Sequence, residues 1–416
     1  MPIFTPTHKV TIAGTEYTSE ILSGGTITAG RVDIFDETQP SYCNLELVNL
    51  AGTSPTINLL DPIIIETKNT TGTFVKLFTG EVSSVSNTLS GAGAGGTFAN
   101  VLQIQAQGAL SGLVKRFAGT VNYPVELDGA RISRILQETL YTAWEDLSTT
   151  YKWTDVALTD TWATYGVQGI DTIDTGRYTV LARSATEGAE NAFDLVNTTS
   201  STGLGYMYET TAGNIGYADA ERRTTYYGSN LIPLDASVVS SEGIQTRLQT
   251  SDVVNSVVVQ YGDPRAEVEA IDDASVNLYG LLQQVNSTIL SDSTQATNQA
   301  TRFVALRGIP KTGFDSLSLD IANGNLDDTT RNSLLGVTMD KALFVSSLPV
   351  GLFPTGEFEG FIEGWTWTLG KNTLDLQMLV SNKIYSTVEV QWEDYSPTTQ
   401  WQNLNNVLTW LDLTIG

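Results

Sequence analysis

The most regular hydrophobic pattern in the chain is a pair of strand hairpins, in residues 77–108 and in residues 357–381. Both stretches begin with an aromatic residue, one spacer and a glycine, then continue as a strand, a turn and a second strand. The opening residues are Phe78 and Gly80 in the first stretch, and Phe358 and Gly360 in the second. The shared pattern predicts two copies of one β-domain in a single chain.

The last strand of each hairpin alternates strictly between apolar and polar residues. Leu102, Ile104 and Ala106 alternate with Gln103, Gln105 and Gln107, and Leu374, Leu376 and Met378 alternate with Asp375 and Gln377. A period of two indicates a strand whose apolar side chains face the core while its amides and acids face water. We therefore expect the polar residues of both strands on the wet face of a sheet.

Strand patterns dominate around both hairpins, and helix and strand patterns alternate between them. The sequence therefore predicts a mainly β protein with an α+β insertion. Residues 1–125 read as a first β-domain closed by one short helix, and residues 126–243 read as a small α+β insert domain. Residues 244–390 return to strands, with one helical interruption, and form a second β-domain. Residues 391–416 are a tryptophan-containing C-terminal tail.

Capping residues predict where three helices begin. Asp128 precedes an apolar helical face, Ser184 and Glu187 have the spacing of a capping box, and so do Asp292 and Gln295. The side chains of Ser and Asp bind the free backbone N–H groups of a first helical turn. We expect a helix at each of these three positions.

Six of the eight tryptophans form two arrays in which neighbours are nine residues apart. The arrays are Trp144, Trp153 and Trp162, and Trp392, Trp401 and Trp410. A stacked aromatic ladder inside the fold is one interpretation. A glycan-stacking surface and a subunit contact are the alternatives, because aromatic residues are enriched in both.

The charge of the chain excludes tight binding to nucleic acid. With 46 acidic and 22 basic residues, the 416-residue chain has a net charge of −24. Binding to phosphates depends on Lys and Arg, which are the minority here. The same charge suits a surface that DNA slides past without adhering, and it is also typical of an ordinary soluble acidic protein.

The scarcity of cysteine and histidine excludes several kinds of catalytic and metal site. The chain has one cysteine, Cys43, and one histidine, His8, so neither an internal disulfide nor a Cys/His zinc site is expected. A Ser-His-Asp triad would have to use His8, close to the N-terminus. No stretch approaches the roughly 18 apolar residues of a membrane span, and the first residues lack the apolar segment of a signal peptide.

Pairs of carboxylates raise the question of glycoside hydrolysis, which needs two such groups. The candidate pairs are Asp171 with Asp174, Asp272 with Asp273, and Asp327 with Asp328. All lie in polar, loop-like stretches and are more typical of turns than of a catalytic site. The stretches around Asp171 and Asn323 loosely match calcium loops but lack the ligand spacing of an EF-hand. We predict no catalytic residue, no cofactor and no assigned metal site, and a structural Ca²⁺ stays an open alternative.

Several segments in a fixed order resemble the tail-tip or baseplate hub proteins of tailed bacteriophages, often called minor tail proteins. The segments, over about 300 residues, are ITAGRVDIF with QPSYCNLELVN, FTGEV with LQIQAQGALSGLVKR, AFDLVNTTSSTGLGYMYETTAGNIGYADAERR, DVVNSVVVQYGD, SVNLYG, LRGIP and FIEGWTWTLGKNTLDLQMLV. No single segment is specific, and the ordered set carries the resemblance.

The resemblance implies two tube-type β-barrel domains per chain and a ring of three chains. Six barrels would then match a sixfold tail tube above, while three chains match a threefold tip below. It implies a virion protein, assembled in the host cytoplasm, whose partners are a tail-tube or distal tail ring, a tape-measure protein and tip or receptor-binding proteins. DNA would leave through the lumen without being specifically bound.

In that arrangement, the wet-face residues are candidates for the lumen and other residues are candidates for subunit contacts. The lumen candidates are Gln103, Gln105, Asp375 and Gln377, and the contact candidates are Arg31 and the six array tryptophans. The resemblance implies a structural protein and not an enzyme. The alternative is a receptor-binding or glycan-binding tail protein, or a polysaccharide-degrading enzyme, that uses the tryptophans as sugar platforms.

Overall fold

The structure is a computed structural model in which most of the chain is described. The described ranges are 4–17, 21–34, 36–49, 56–90, 99–140, 170–226, 231–239, 244–339, 341–351, 353–386, 390–391 and 413–414.

Strands dominate these ranges, which confirms the predicted mainly β fold class. The strands are β1 (His8–Ile12), β2 (Thr15–Glu16), β3 (Ile21–Gly30), β4 (Gln39–Asn49), β5 (Pro62–Lys68), β6 (Phe74–Ser90), β7 (Ala99–Gln107), β8 (Phe117–Ala118), β9 (Glu126–Leu127), β10 (Ile170–Ile173), β11 (Thr179–Val180), β12 (Glu190–Asn191), β13 (Tyr206–Glu209), β14 (Ile215–Ala218), β15 (Leu231–Asp235), β16 (Gln245–Arg247), β17 (Ser256–Tyr261), β18 (Ala266–Ile271), β19 (Gln283–Ser287), β20 (Gly313–Asp320), β21 (Ala342–Ser346), β22 (Phe358–Leu369), β23 (Leu374–Asn382), β24 (Val390–Gln391) and β25 (Leu413–Thr414). The helices are α1 (Leu110–Val114), α2 (Asp128–Leu140), α3 (Ala192–Thr202), α4 (Arg222–Tyr226), α5 (Asp273–Tyr279), α6 (Ser293–Arg307) and α7 (Asp328–Leu335).

One sheet of thirteen strands contains both predicted hairpins. Its order is β16-β20-β23-β22-β3-β4-β7-β6-β5-β1-β2, with β21 also paired to β22 and β15 paired to β21. The first hairpin is β6 with β7, and the second is β22 with β23, both antiparallel. The strand assignments made from the alternating patterns are therefore correct, and the two hairpins lie in one continuous sheet.

The two hairpins are built in the same way, down to a glycine that no other residue can replace without movement. A Cβ on Gly80 would lie 2.3 Å from the carbonyl oxygen of Gln107, and a Cβ on Gly360 would lie 2.4 Å from that of Ser381. The ring of the phenylalanine two positions earlier lies 2.6 Å from the same Cβ position in both copies. The opening aromatic-spacer-glycine pattern thus marks a close approach between the strands of each hairpin.

The two copies also share a β-bulge and a neighbouring strand. The bulge comes three residues after the glycine, where Ser83 is the extra residue in the first copy and Glu363 in the second. β5 pairs with the beginning of β6 as β21 pairs with the beginning of β22. A bulge increases the local bend and twist of a strand, so both copies turn at the same point.

Strands β3 and β22 join the two copies. They pair antiparallel from Gly30 opposite Gly364 to Gly25 opposite Leu369. The hydroxyl oxygens of Thr28 and Thr366 lie 3.3 Å apart across this junction. A single cluster of buried apolar side chains, including Ile27 from the first copy and Trp367 from the second, runs beneath it. Burial of both residues against one another favours this register. A slip by one position would move the apolar side chains of the strand from the core to the solvent-facing side of the sheet.

A buried carboxylate closes the junction. Glu363 is 1% exposed, and one of its oxygens accepts a 2.7 Å bond from Nε of Arg31, the residue that follows β3. Arg223 of α4 donates to both oxygens, at 2.5 and 2.9 Å, and the hydroxyl of Ser381 donates to one of them. Burial alone raises the pKa of Glu363, but the neighbouring Arg223 and Arg31 outweigh it and lower the pKa to about 2.

A second core is formed by α1, α2 and α3 on β13 and β14. The short helix α1, expected to close the first β-domain, therefore packs with elements of the predicted α+β insert. Strands β13 and β14 pair antiparallel as a hairpin in this core. The helix predicted to begin at Ser184 is wrong in part. The capping box of Ser184 and Glu187 exists but covers one 3₁₀ turn, and α3 begins later, at Ala192, with Asn191 as its cap.

A third core lies between helix α6 and strands β17 and β18. The start of α6 predicted at Asp292 is confirmed, since its carboxylate accepts the N–H of Gln295. The Gln295 side chain bonds Thr179 and does not complete a capping box. Asp128 behaves differently from the prediction: it lies in the first turn of α2, and its carboxylate accepts N–H groups from Arg177 and Tyr178. Asp128 therefore links the start of α2 to the backbone of residues 177 and 178.

We expect Glu363→Gln to lower the free energy of unfolding by about 3–5 kcal/mol at pH 7, because it leaves two buried arginines without a counter-charge. The pKa of Glu363 is lower in the folded than in the unfolded chain, so its contribution is present above the unfolded pKa of about 4.3 and is lost as the pH falls towards about 2. The difference between variant and parent, measured by urea unfolding, should shrink between pH 7 and pH 3.

Glu359→Gln is the matched control, because Glu359 forms a 2.9 Å ion pair with Lys383 but is 39% exposed. It should change the free energy of unfolding by less than about 1 kcal/mol. Equal losses in both variants would contradict a special role for Glu363.

We expect Gly80→Ala and Gly360→Ala to destabilise the fold by similar amounts, about 1–3 kcal/mol each, because each new methyl group meets a carbonyl oxygen. Gly24→Ala is the control, since no atom lies within 4 Å of a Cβ there. It should be neutral or stabilising, because Ala in a strand loses less entropy than Gly. Thermal unfolding of the three variants measures this, and a harmless Gly360→Ala would contradict the equivalence of the two glycines.

Candidate functional site

A continuous polar face runs across seven neighbouring strands of the main sheet, from β20 to β6. We define the polar face by cross-strand partners that are exposed or half-buried: Ser316, Ser318, Asp320, Asp375, Gln377, Thr366, Thr368, Thr26, Thr28, Tyr42, Asn44, Glu46, Gln103, Gln105, Gln107, Glu81, Ser84 and Ser86. The residues of this set are amides, hydroxyls and acids, and every charged member is acidic.

The alternation of the strands creates this face. The residues between the polar ones point the other way and are buried, as Cys43, Ile104 and Met378 show. Burial raises the pKa of the Cys43 thiol, so this cysteine stays a protonated, apolar core residue. The hydrophobic core thus forces the amides and acids onto a common, water-facing surface.

The structure brings all four lumen candidates onto the polar face. Gln103 and Gln105 lie on β7, and Asp375 and Gln377 lie on β23, with β4, β3 and β22 between them. At the usual spacing of neighbouring strands, the two pairs are about 19 Å apart. Residues from both ends of the sequence therefore share one surface, and whether that surface lines a lumen stays a prediction.

Acids on the polar face lie close enough to repel one another. Asp375 is directly opposite Asp320 on the neighbouring strand. Partial burial and, secondly, the negative charge of Asp320 raise the pKa of Asp375. Like charges opposite one another in a sheet cost free energy, which indicates that these acids serve something other than stability.

The contact candidates have different outcomes. Arg31 is 7% exposed and is held in the ion pair with Glu363 inside the chain. Its guanidinium also lies 5.0 Å from the ring centre of Tyr206 in the insert. The six array tryptophans lie outside the described residues. A role of these seven residues in subunit contacts stays a prediction.

Sequence reasoning missed Glu363 and Arg223, the two other members of the buried ion cluster. The signal for Glu363 was an acid inside the apolar run FIEGWTW of β22. A charge in a buried strand has to find a partner, and that partner was not identifiable from spacing, because Arg223 lies in a different part of the chain.

The acidic pairs considered for catalysis have structural partners. Asp174 forms a two-pronged ion pair with Arg222, at 2.6 and 2.7 Å. Asp272 caps α5 and Asp327 caps α7 through backbone N–H groups. This agrees with their interpretation as turn and cap residues.

Within the described residues, no three His, Cys, Asp or Glu side chains are grouped so that they could hold a metal ion. In the same part of the chain, no helix is long and apolar enough to cross a membrane.

A cavity of about 310 Å³ lies between the insert, the main sheet and the β17–β19 unit. Its charged lining residues are Arg31, Arg223, Arg302, Arg307, Asp36, Glu37 and Asp219. Both signs of charge are present in similar number, so the cavity favours neither an anion nor a cation. The polar face is the stronger candidate for function.

Comparisons with known proteins support the fold. No protein-family model and no curated protein matches this sequence. Among solved structures, a 43 kDa tail protein of prophage MuSo2 from Shewanella oneidensis is similar at 10% identity, with a TM-score of 0.57, over 91% of this chain and 99% of the other. A tail protein from Neisseria meningitidis MC58 is similar at 12% identity, with a TM-score of 0.55, over 92% and 98%. This chain therefore has the fold of tail proteins along nearly its whole length.

Proposed function

We propose that this protein is a structural hub of a bacteriophage tail tip or baseplate, located in the virion tail and without enzymatic activity. The observation that carries the proposal is the tail-protein fold in which two equivalent hairpins join in one sheet. Two copies per chain are what a ring of three chains needs to present six similar units to a sixfold tail tube. The ring would adapt that tube to a threefold tip and would contact tube, tape-measure and tip proteins.

The polar face supports the second part of the proposal, which is that the ring surrounds the channel through which DNA leaves. Its glutamines, including Gln103, Gln105 and Gln377, are hydrated but uncharged, and its charged residues are acidic. Affinity for DNA comes mainly from Lys and Arg that neutralise phosphates. A channel with this lining would let a duplex pass without holding it.

The purified protein should form trimers, with a mass three times that of the chain in sedimentation equilibrium, and threefold rings in cryo-electron microscopy. Copies joined by a specific surface associate in a concentration-dependent way, so the measurement should cover the range from nanomolar to about 100 µM. A monomer across that range would contradict the proposal.

Adding positive charge to the polar face should convert the ring into a DNA trap. We expect the triple variant Gln103→Lys, Gln105→Lys and Gln377→Lys to retain linear duplex DNA at low ionic strength, with an affinity that falls steeply as salt is added. Covalently closed circles should not be retained, because they have no end that can enter a ring. Filter binding with both DNA forms measures this.

A charge-matched control places three lysines at exposed positions outside the polar face, as Asn277→Lys, Thr294→Lys and Asn298→Lys. This variant should treat linear and circular DNA alike, since its lysines face the surroundings. Equal retention of circles and linear DNA by the polar-face variant would show that the face lies on the outside of the assembly.

A further inference from the structure

One edge of the main sheet is left open at a position that is occupied in the other copy. In the second copy, β21 covers the edge of β22 over Phe358–Phe361, and β3 continues along the same edge over Gly364–Leu369. In the first copy, β5 covers the corresponding part of β6, up to Glu81. Beyond that point, among the described residues, no strand continues along the edge of β6.

The two edges correspond in detail. The N–H of Val82 donates to the carbonyl of Asp61, as the N–H of Ile362 donates to that of Lys341. Immediately after this bond, the N–H of Arg31 donates to the carbonyl of Glu363, which begins the β3 junction. The first copy has the corresponding bond of Val82, but none of its described residues forms a strand in the place that β3 takes beside β22.

Beyond the bulge at Ser83, the open edge lacks the charges and prolines that protect exposed strands. Residues 83–90 read SSVSNTLS, without a charge or a proline, and Leu89 is 61% exposed. Proteins usually protect such edges with lysines, prolines, bulges or very short strands. An uncharged free strand of this length is a template for pairing with another chain.

The opposite end of the sheet presents the matching strand. In the part of the chain that the structure describes, β16 pairs with β20 on one side only, and β20 pairs with β23, which corresponds to β7. In the first copy the strands in the same positions are β4, next to β7, and β3, next to β4. β16 is therefore the counterpart of β3, and Leu248, just after it, is 63% exposed.

We propose that β6 of one chain pairs antiparallel with β16 of a second copy of this chain, in the register of the β3–β22 junction. From the registers of the two hairpins and their neighbouring strands, Ser86 corresponds to Thr366 and Arg247 corresponds to Thr28, so Ser86 of one chain would lie opposite Arg247 of the next. The exposed Leu89 and Leu248 come to lie at the two ends of this pairing. Because the edges are unlike, the contact is head-to-tail and continues the polar face from chain to chain. Closure after three copies rests on the proposed function.

The double variant Ser86→Cys with Arg247→Cys tests the pairing. Side chains directly opposite one another in antiparallel strands are close enough for a disulfide. Oxidation of the assembled protein should therefore give bands of two and three linked chains on a non-reducing gel. The single native cysteine, Cys43, is fully buried and should not contribute.

Two further variants control the geometry. Thr28→Cys with Thr366→Cys should form a disulfide within one chain, because these positions already face one another. Ser86→Cys with Thr246→Cys is shifted by one residue, so its two thiols point to opposite faces and should not link.

The outcomes separate this inference from the proposed ring. Linked chains in the first variant and not in the shifted one support the pairing. Trimers without such links, links in the shifted variant, or links in Ser86→Cys alone would overturn the pairing and leave the ring intact. Specific links that extend into open ladders beyond three chains would support the pairing and overturn the ring of three. A monomer at every concentration would overturn both.

Discussion

The carboxylate of Glu363 holds together three parts of the chain that are far apart in the sequence. It lies at the bulge of β22, and its two cationic partners come from the end of β3 and from helix α4 of the insert. A carboxylate without water is tolerated only when its oxygens are fully satisfied. The arrangement of the second hairpin against the first, and of the insert against both, therefore depends on the same few hydrogen bonds.

The junction between β3 and β22, which Glu363 closes, also joins the water-facing surfaces of the two hairpins. Cross-strand partners in a sheet point to the same side, so joining β3 to β22 joins the wet faces of both hairpins as well. The result is one acidic, amide-rich surface in place of two separate ones. A surface of this kind has little affinity for a polyanion, and its extent across seven strands is what gives the proposed channel lining its physical basis.

Local sequence patterns were sufficient to predict the strands of both hairpins and some of the helix boundaries. The alternation around Gln105 and Gln377 identified both hairpin strands and their exposed sides, and Asp292 marked the start of α6. The helix start predicted at Ser184 was wrong. The capping box is complete, but the chain after it pairs as β12 before α3 begins. A cap stabilises a first turn wherever one forms, and the length of the helix is decided by the packing of the residues that follow.

Arg31 shows the limit of reasoning from spacing. The resemblance to hub proteins made it a candidate for a contact between subunits, and the structure places it in a contact between two halves of the same chain. The sequence around Arg31 does not distinguish a contact within the chain from a contact between chains, because an acid and an aromatic ring can be its partners in either.

The sequence by itself determined which side chains face water and which face the core, because a strand has a period of two whatever its neighbours are. It also showed that the hairpin is repeated, through Gly80 and Gly360. Beyond the two hairpins, only the tertiary structure decided which strands are neighbours. The groups that join strand edges are backbone N–H and C=O, which every residue but proline carries alike, so the pairing of β3 with β22 leaves no local signature. It is selected by the fit of the buried side chains and by the one charge, Glu363, that has to be matched within the core.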